Sequence, residues 1–469
     1  MKRFVLIALF FWTLLSWTAI SVASNSQVPV TLLPVTLLDV AESNLRYIAS
    51  EQREETDSIY WAGEWPTHLY STLLPAMLGV GTLIGHDQEA TDFTTASVVS
   101  QLAVIYLDYP ELKGRTGYEQ IPDSLERAAL TFKRYQVGSL FNFYPPRAWR
   151  GRVVHQPADM TLLGLWRGFT NIPPDADTSS NVFAALLLTS RIHGGNYQIP
   201  LAALNSFSEF RDLQRRPHFY NRREHQVQTG AFMTWLRDEK DPSLPHFYFA
   251  PPERGVRIPF NRNDVDCIVN LNILKMLALQ NQSEVPGHAE ACAMISEIIS
   301  KNQLATCGIY YPNTFNLGFS MAQAENAGET CFSAPTKNAM VEDILKLQSA
   351  DGGWDNDRNT WQDRVQSTAF AMISLFEFAD LNDFRVQSSL RYGTIYLLRQ
   401  LKKSEQGSFY WPGEVLFTAT AIARSLVVWK SNSYTTAVAA QALLKMHRHF
   451  PKFNPSLAFY NSAFASHSP

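Results

Sequence analysis

Gln348-Ser349-Ala350-Asp351-Gly352-Gly353-Trp354 places a glutamine, a glycine turn and an indole at the end of an apolar helical segment, and the same order recurs along the chain. Looser versions are Gln52 before Ile59-Tyr60-Trp61, Gln136-Val137-Gly138 before Phe141-Asn142-Phe143-Tyr144-Pro145, and Gln214 before Phe219-Tyr220. Gln303 before Gly308-Ile309-Tyr310-Tyr311-Pro312 and Gln406-Gly407-Ser408-Phe409-Tyr410-Trp411-Pro412 complete the set. A second echo joins the two ends: Thr91-Asp92-Phe93-Thr94-Thr95-Ala96 resembles Asn432-Ser433-Tyr434-Thr435-Thr436-Ala437. A unit of two helices cannot bury its apolar face alone, so repeated units must stack and share a core. About six helix pairs can close such a stack, which predicts an all-α, single-domain α/α toroid. The competing reading is an irregular helical domain with ordinary glycine C-caps.

Apolar periodicity near 3.6 predicts helices at 35–48, 97–106, 125–135, 181–192, 268–279, 289–299, 341–347, 369–378, 390–401, 419–428 and 437–446. Helix openings are read at Gln366-Ser367-Thr368-Ala369 and Thr418-Ala419-Thr420-Ala421, and no alternating strand run competes. Two segments rich in Pro, Arg and aromatics, 144–159 and 237–263, interrupt the rhythm and are expected to form rims or lids. A chain of 469 residues with 46% hydrophobic and 18% charged side chains has ample core material, and a continuous repeat fills that length as one body.

Met1-Lys2-Arg3, an apolar run from Phe4 to Ile20 and Ser21-Val22-Ala23 together predict a signal peptide over 1–23, with the toroid over 24–469 and export to the periplasm or medium. An uncleaved N-terminal anchor is the alternative. Without Lys2 and Arg3 the formal charge moves from -3 to -5, which argues against a nucleic-acid partner. All four cysteines, Cys267, Cys292, Cys307 and Cys331, fall in one window, so one or two disulfides are expected with three pairings open. No Cys-x-x-Cys or close His pair accompanies them, and neither metal nor cofactor is expected.

Two acidic motifs open predicted helices after proline-containing loops: Pro173-Pro174-Asp175-Ala176-Asp177-Thr178 and Asn263-Asp264-Val265-Asp266-Cys267. One aspartate would suffice as a cap. Each motif has two, and Asn270 and Asn272 carry the polar run into an apolar helix, so these groups are candidates to converge on a cavity. The segment from Gln348 to Trp354 resembles the Gln/Trp repeat of squalene-hopene-type terpene cyclases and their prenyltransferase relatives. Asp175-Ala176-Asp177-Thr178 is similar to the Asp-x-Asp-Asp acid motif of the class II cyclases, with Thr178 in place of the last aspartate. The resemblance implies an α/α barrel in which the middle aspartate, here Asp177, protonates an isoprenoid alkene or epoxide with Asp175 beside it.

The expected reaction is therefore an acid-catalysed cyclisation or isomerisation of an apolar lipid, with Asp264 and Asp266 as further acid candidates. Trp61, Trp65, Trp354, Tyr410 and Trp411 are expected to bind substrate and steady a cation by their π faces, with Asn270 among the polar contacts. The same residues fit a polysaccharide hydrolase or lyase, in which aromatics stack on sugars and two carboxylates act as acid and base. A non-catalytic toroid that binds lipid, glycan or protein is the third reading. A lipid substrate would bring peripheral membrane contact with it.

Overall fold

Inner and outer helices alternate along the chain because their burial differs. The computed structural model describes residues 36–71, 84–157, 171–215, 218–223, 226–237, 256, 258, 262–303, 307–355, 364–419, 427–453 and 455. The predicted signal peptide and most of the second predicted rim lie outside them. One compact unit takes in Thr36–Ser456.

The outer helices are α1 (Leu37–Glu51), α3 (Ile121–Thr131), α5 (Leu201–Glu209), α7 (His288–Ser300), α9 (Ala334–Lys346) and α11 (Phe384–Arg399). Between them run the inner helices α2 (Asp92–Asp108), α4 (Ala176–Ile192), α6 (Cys267–Leu279), α8 (Asn316–Asn326), α10 (Arg364–Phe378) and α12 (Asn432–His449). Outer helices α1 and α3 are amphipathic, while α2, α4, α6 and α10 are buried on nearly every face, as a ring inside a ring requires. Each inner helix packs on the next, and α12 packs on α2, so the inner ring is closed. This is the six-paired α/α toroid expected from the repeat.

The repeat has a physical basis in a wall joint. The indole N–H of Trp65 donates to Ile48 O at 2.8 Å, that of Trp354 to Ile344 O at 2.8 Å, and that of Trp411 to Leu397 O at 2.9 Å, each in the last turn of the preceding outer helix. The backbone N–H of the same three residues donates to Thr95, Thr368 and Thr436 Oγ1 in the first turns of the following inner helices. Gln52 Nε2 donates to Gly63 O and Ser124 O, and Gln348 Nε2 to Gly352 O and Ser389 O, tying the turn to the next outer helix. Gly63 and Gly352 have φ of +103° and +94°, and a Cβ on either would stand 2.5 Å from a carbonyl oxygen of that helix, Arg127 or Tyr392. Only glycine meets both conditions. Gln406, which opens the last copy of the pattern in the sequence, is exposed.

One expectation is corrected. The segment 419–428 is no helix among its described residues. The chain pairs β1 (Thr67–Ser71) with β2 (Ile84–Glu89), and β5 (Glu414–Ala419) with β6 (Val427–Ser431), in one antiparallel sheet of order β2-β1-β6-β5. Val415, Val428 and Trp429 are β-branched or aromatic and sit buried in the sheet, with Phe417 half-buried beside them, so packing across strands overrides the apolar periodicity. Glu414 then accepts from Val365 N at 2.8 Å and Gln366 N, capping α10 from a strand. In the first predicted rim, β3 (Pro146–Trp149) and β4 (Arg152–His155) form a hairpin.

The ring is locked where the first outer helix meets the last inner one. Asn44 Nδ2 donates to Phe409 O, Phe409 N to Ser43 Oγ, and Asn432 Nδ2 to the Tyr47 hydroxyl, with Tyr47 stacked on Tyr410 at 4.4 Å. Disulfides join Cys267 to Cys307 and Cys292 to Cys331. Two bridges fit an oxidising, exported environment. No helix among the described residues is long and apolar enough to cross a membrane.

Candidate functional site

The inner helices present side chains inward at intervals of three and four residues. Phe93, Ser97, Ser100 and Gln101 of α2, Asn181 of α4, Ile268, Asn272 and Lys275 of α6, and Asn316, Phe319, Ser320 and Gln323 of α8 line one cavity with Tyr311, Leu416 and Tyr434. Its space, counted out to the open mouth and so including open solvent there, is about 390 Å³. In α2 and α6 the residue two past the N-cap, Phe93 or Ile268, begins the inward row. In α4 that position is Asp177.

Asp177 is 3% exposed and is held by three residues that line the cavity. The Tyr311 hydroxyl donates to its Oδ2, Asn272 Nδ2 donates to Oδ1 at 2.7 Å, and Asn181 Nδ2 donates to Oδ1 at 3.3 Å. Burial first, then the charge of Asp175, pushes the Asp177 carboxyl well above the usual carboxylate range, against the pull of the Tyr311 and Asn272 donors. Asp175 is the N-cap of α4, accepting from Thr178 N at 2.6 Å. Burial raises it to about 7, opposed chiefly by that backbone bond.

The second acidic motif has a different setting. Asp266 caps α6, accepting from Ile268 N at 2.7 Å and Val269 N at 3.2 Å, and also accepts from Ile309 N and Tyr310 N. Burial raises it to about 6. Asp264 accepts from the hydroxyls of Thr234 and Tyr310 at 2.5 and 2.7 Å, and burial raises it too. Asn270 grips the backbone of Phe232 in both directions at 3.0 Å and donates to Asp266 O at 2.9 Å. These three staple the 230–235 and 309–310 segments to the head of α6, and the Cys267–Cys307 bridge fastens the same place. Asp177 is thus tied to residues of the cavity wall, with the Asp175 cap two residues before it, while Asp266 and Asn270 are turned towards backbone and Asp264 towards two side-chain hydroxyls.

The expected aromatic contacts are spread over the wall. Trp65, Trp354 and Trp411 are fully buried in the joints. Trp61 is half-buried under the Arg134 guanidinium at 5.2 Å, and Tyr410 is half-buried against Tyr47. The aromatic cluster beside Asp177 is another one, centred on Phe417. Its ring lies 5.6 Å from Phe93, 5.2 Å from Phe143, 5.7 Å from Tyr310, 5.9 Å from Tyr311 and 5.5 Å from Trp429.

Asp92 is a further acid, outside the two doubled motifs. It is fully buried at the start of α2, and neither Oδ has a hydrogen-bond partner among the described residues. Burial, then Asp175 and Glu64, pushes it well above its usual range. The echo of 91–96 in 432–437 contained the signal, because Asp92 stands where the other copy has Ser433. Within the described residues, His288, Cys292 and Glu329 lie close enough to share a metal ion, but Cys292 is bridged to Cys331 and its sulfur is not a free ligand.

No family model matches the chain, and no curated protein matches it either. Among solved structures the chain is similar to the type II terpene cyclase MstE from Scytonema. The apo form gives a TM-score of 0.52 at 13% identity, over 88% of this chain and 99% of that one. MstE in complex with its substrate, geranylgeranyl dihydroxybenzoate, gives 0.52 at 14%, over 87% and 98%. A protein from Actinoplanes gives 0.50 at 11%, over 87% and 99%. At these identities the likeness is one of fold, and it spans nearly the whole of each relative: the chain is built as an α/α toroid of the kind that MstE uses.

Proposed function

We propose that this chain is an acid catalyst of isoprenoid or similar apolar-lipid cyclisation, with Asp177 as proton donor and Asp175 as its partner. The observation that carries the reading is the setting of Asp177. Burial first, then the neighbouring Asp175, favours the protonated form of its carboxyl, while Tyr311 and Asn272 are already aimed at the two oxygens that become a carboxylate. Such preorganised donors stabilise the charge that develops when the proton leaves.

In the reaction, the Asp177 O–H bond breaks as an alkene π pair takes the proton to form a C–H bond. The Asp177 carboxylate accepts from Tyr311 and Asn272. The adjacent carbon, now cationic, is attacked by a second double bond to form a ring C–C bond, and loss of a proton from the final cation returns a neutral product of unchanged mass. Phe93 and Tyr311 on the cavity wall, backed by Phe417, offer π electrons to the cation. Fold likeness to MstE, a type II terpene cyclase, agrees with this choice. Export is part of the reading, from the predicted signal peptide and the two disulfides.

The test is a mass-spectrometric comparison of isoprenoid and glycan extracts incubated with the mature protein and with Asp177→Asn. The expected result is an isoprenoid product of unchanged mass and new retention, made by wild type alone. The reading falls if the variant makes the same product at the same rate, or if wild type makes none. Glycan fragments would point instead to hydrolase or lyase chemistry.

A further inference from the structure

Below the acid layer the cavity changes character. On α6 the inward row runs Ile268, Asn272, Lys275, and at 1.5 Å per residue Lys275 lies roughly 10 Å along the axis from the level of Ile268. Gln323 is seven residues past Asn316 on α8, and Gln101 eight past Phe93 on α2, so the three long polar side chains share a level at the cavity floor. Lys275 is 5% exposed, and no hydrogen bond or charged neighbour offsets the burial of its ammonium among the described residues. Burial alone lowers it to about 8. Around it, Ser100 Oγ, Gln101 Oε1 and Gln323 Nε2 are buried without hydrogen-bond partners among the described residues.

A buried polar atom left unpaired costs about 1–3 kcal/mol, and an uncompensated buried charge costs more. Three such atoms beside the buried Lys275 ammonium, on the wall of one cavity, are a built complement to a polar ligand group. We infer that this floor seats the carboxylate head of the apolar ligand, with Lys275 Nζ and Gln323 Nε2 donating to its oxygens. A single cation matches a single negative charge. A diphosphate fits poorly, because one ammonium cannot balance its several negative charges in a buried setting. The hydrocarbon chain then runs up towards Asp177, and the reactive double bond lies roughly 10 Å from the head group. This inference rests on the cavity being the ligand site of the proposed function, and names the class of that ligand as an isoprenoid carboxylic acid.

The experiment is calorimetric titration of the mature chain with a C20 isoprenoid carboxylic acid and with the primary alcohol of the same skeleton, for wild type and for Lys275→Met. Wild type is expected to bind the acid at least about tenfold more tightly than the alcohol, and Lys275→Met to lose that preference while binding the alcohol as wild type does. Retained alcohol binding shows that the variant folds. Equal affinity for acid and alcohol in wild type, binding of neither, or an undiminished preference in Lys275→Met overturns the inference. Turnover is read separately: a protein that prefers the acid through Lys275 yet makes no product contradicts the acid-catalysis reading and leaves the head-group site standing.

Discussion

Replacing Trp354 by alanine separates an aromatic that holds the wall from one that holds a ligand. The indole is fully buried, and its N–H bonds Ile344 O at 2.8 Å. Truncating a buried aromatic to alanine costs about 3–5 kcal/mol through lost transfer energy and the cavity left behind. The lost hydrogen bond adds little beyond that range, because Ile344 O also accepts from Leu347 N and is not orphaned. The backbone bond from residue 354 to Thr368 survives the change. A unit spanning Thr36–Ser456 has an unfolding entropy of about 0.9 kcal/mol/K at roughly 2.1 cal/mol/K per residue, so Tm should fall by about 3–6 °C. Trp61→Ala is the control. Its ring is half-buried under one guanidinium, an interaction of about 0.5–1 kcal/mol, and Tm should fall by only about 0.5–1 °C. Both are read by differential scanning calorimetry of the mature chain. A Trp354→Ala Tm within about 1 °C of wild type, together with weakened ligand binding, would refute the joint and return Trp354 to the ligand.

Two further outcomes follow from the acid pair. Tyr311→Phe removes one of the donors that receive the Asp177 carboxylate, so kcat on an isoprenoid substrate should drop about 10²-fold with KM little changed, and a rate within about twofold of wild type would count against that role. Asp175, raised to about 7 in the folded chain, keeps its proton where the unfolded chain loses it near 3.8. Its contribution to stability is therefore full below about pH 4 and is lost as pH rises towards 7, and Asp266, raised to about 6, acts in the same direction. Denaturant titrations should show stability falling across that window and falling less steeply in Asp175→Asn, which keeps the cap; a slope unchanged by the substitution would contradict the buried setting of Asp175.

The toroid was legible because its evidence is local: a turn signature, a 3.6 period and two glycines at positive φ repeat within single segments. The strands were not, since 414–419 and 427–431 are short apolar runs whose state is decided by partners at 67–71. That misreading also hid Phe417, which a strand carries to the acid. Asp177 could be found from the doubled acid motif. What distinguishes it from Asp264 and Asp266 is Tyr311, 134 residues away in sequence, and Asn272, 95 away, and no local pattern encodes such contacts. A turn followed by an indole gives no direction for the ring, so the tryptophans read as platforms while their N–H groups point to helix carbonyls. Lys275 looks like an ordinary charge near a helix C-terminus until the helices around it close. The cysteine pairing likewise depended on which loop returns to the head of α6.

Ring closure also bears on how the protein is made. The latch joins Ser43, Asn44 and Tyr47 to Phe409 and Asn432, contacts separated by 365 to 385 residues. At about 5–20 residues per second, helix α1 is synthesised roughly 20–80 s before its partner α12 exists. Throughout that interval α1 lacks the surface that α12 later packs against it. The nascent chain must be shielded or kept unfolded until its last helix arrives, and a ribosome that stops short of α12 leaves an open ring with an apolar edge at both ends.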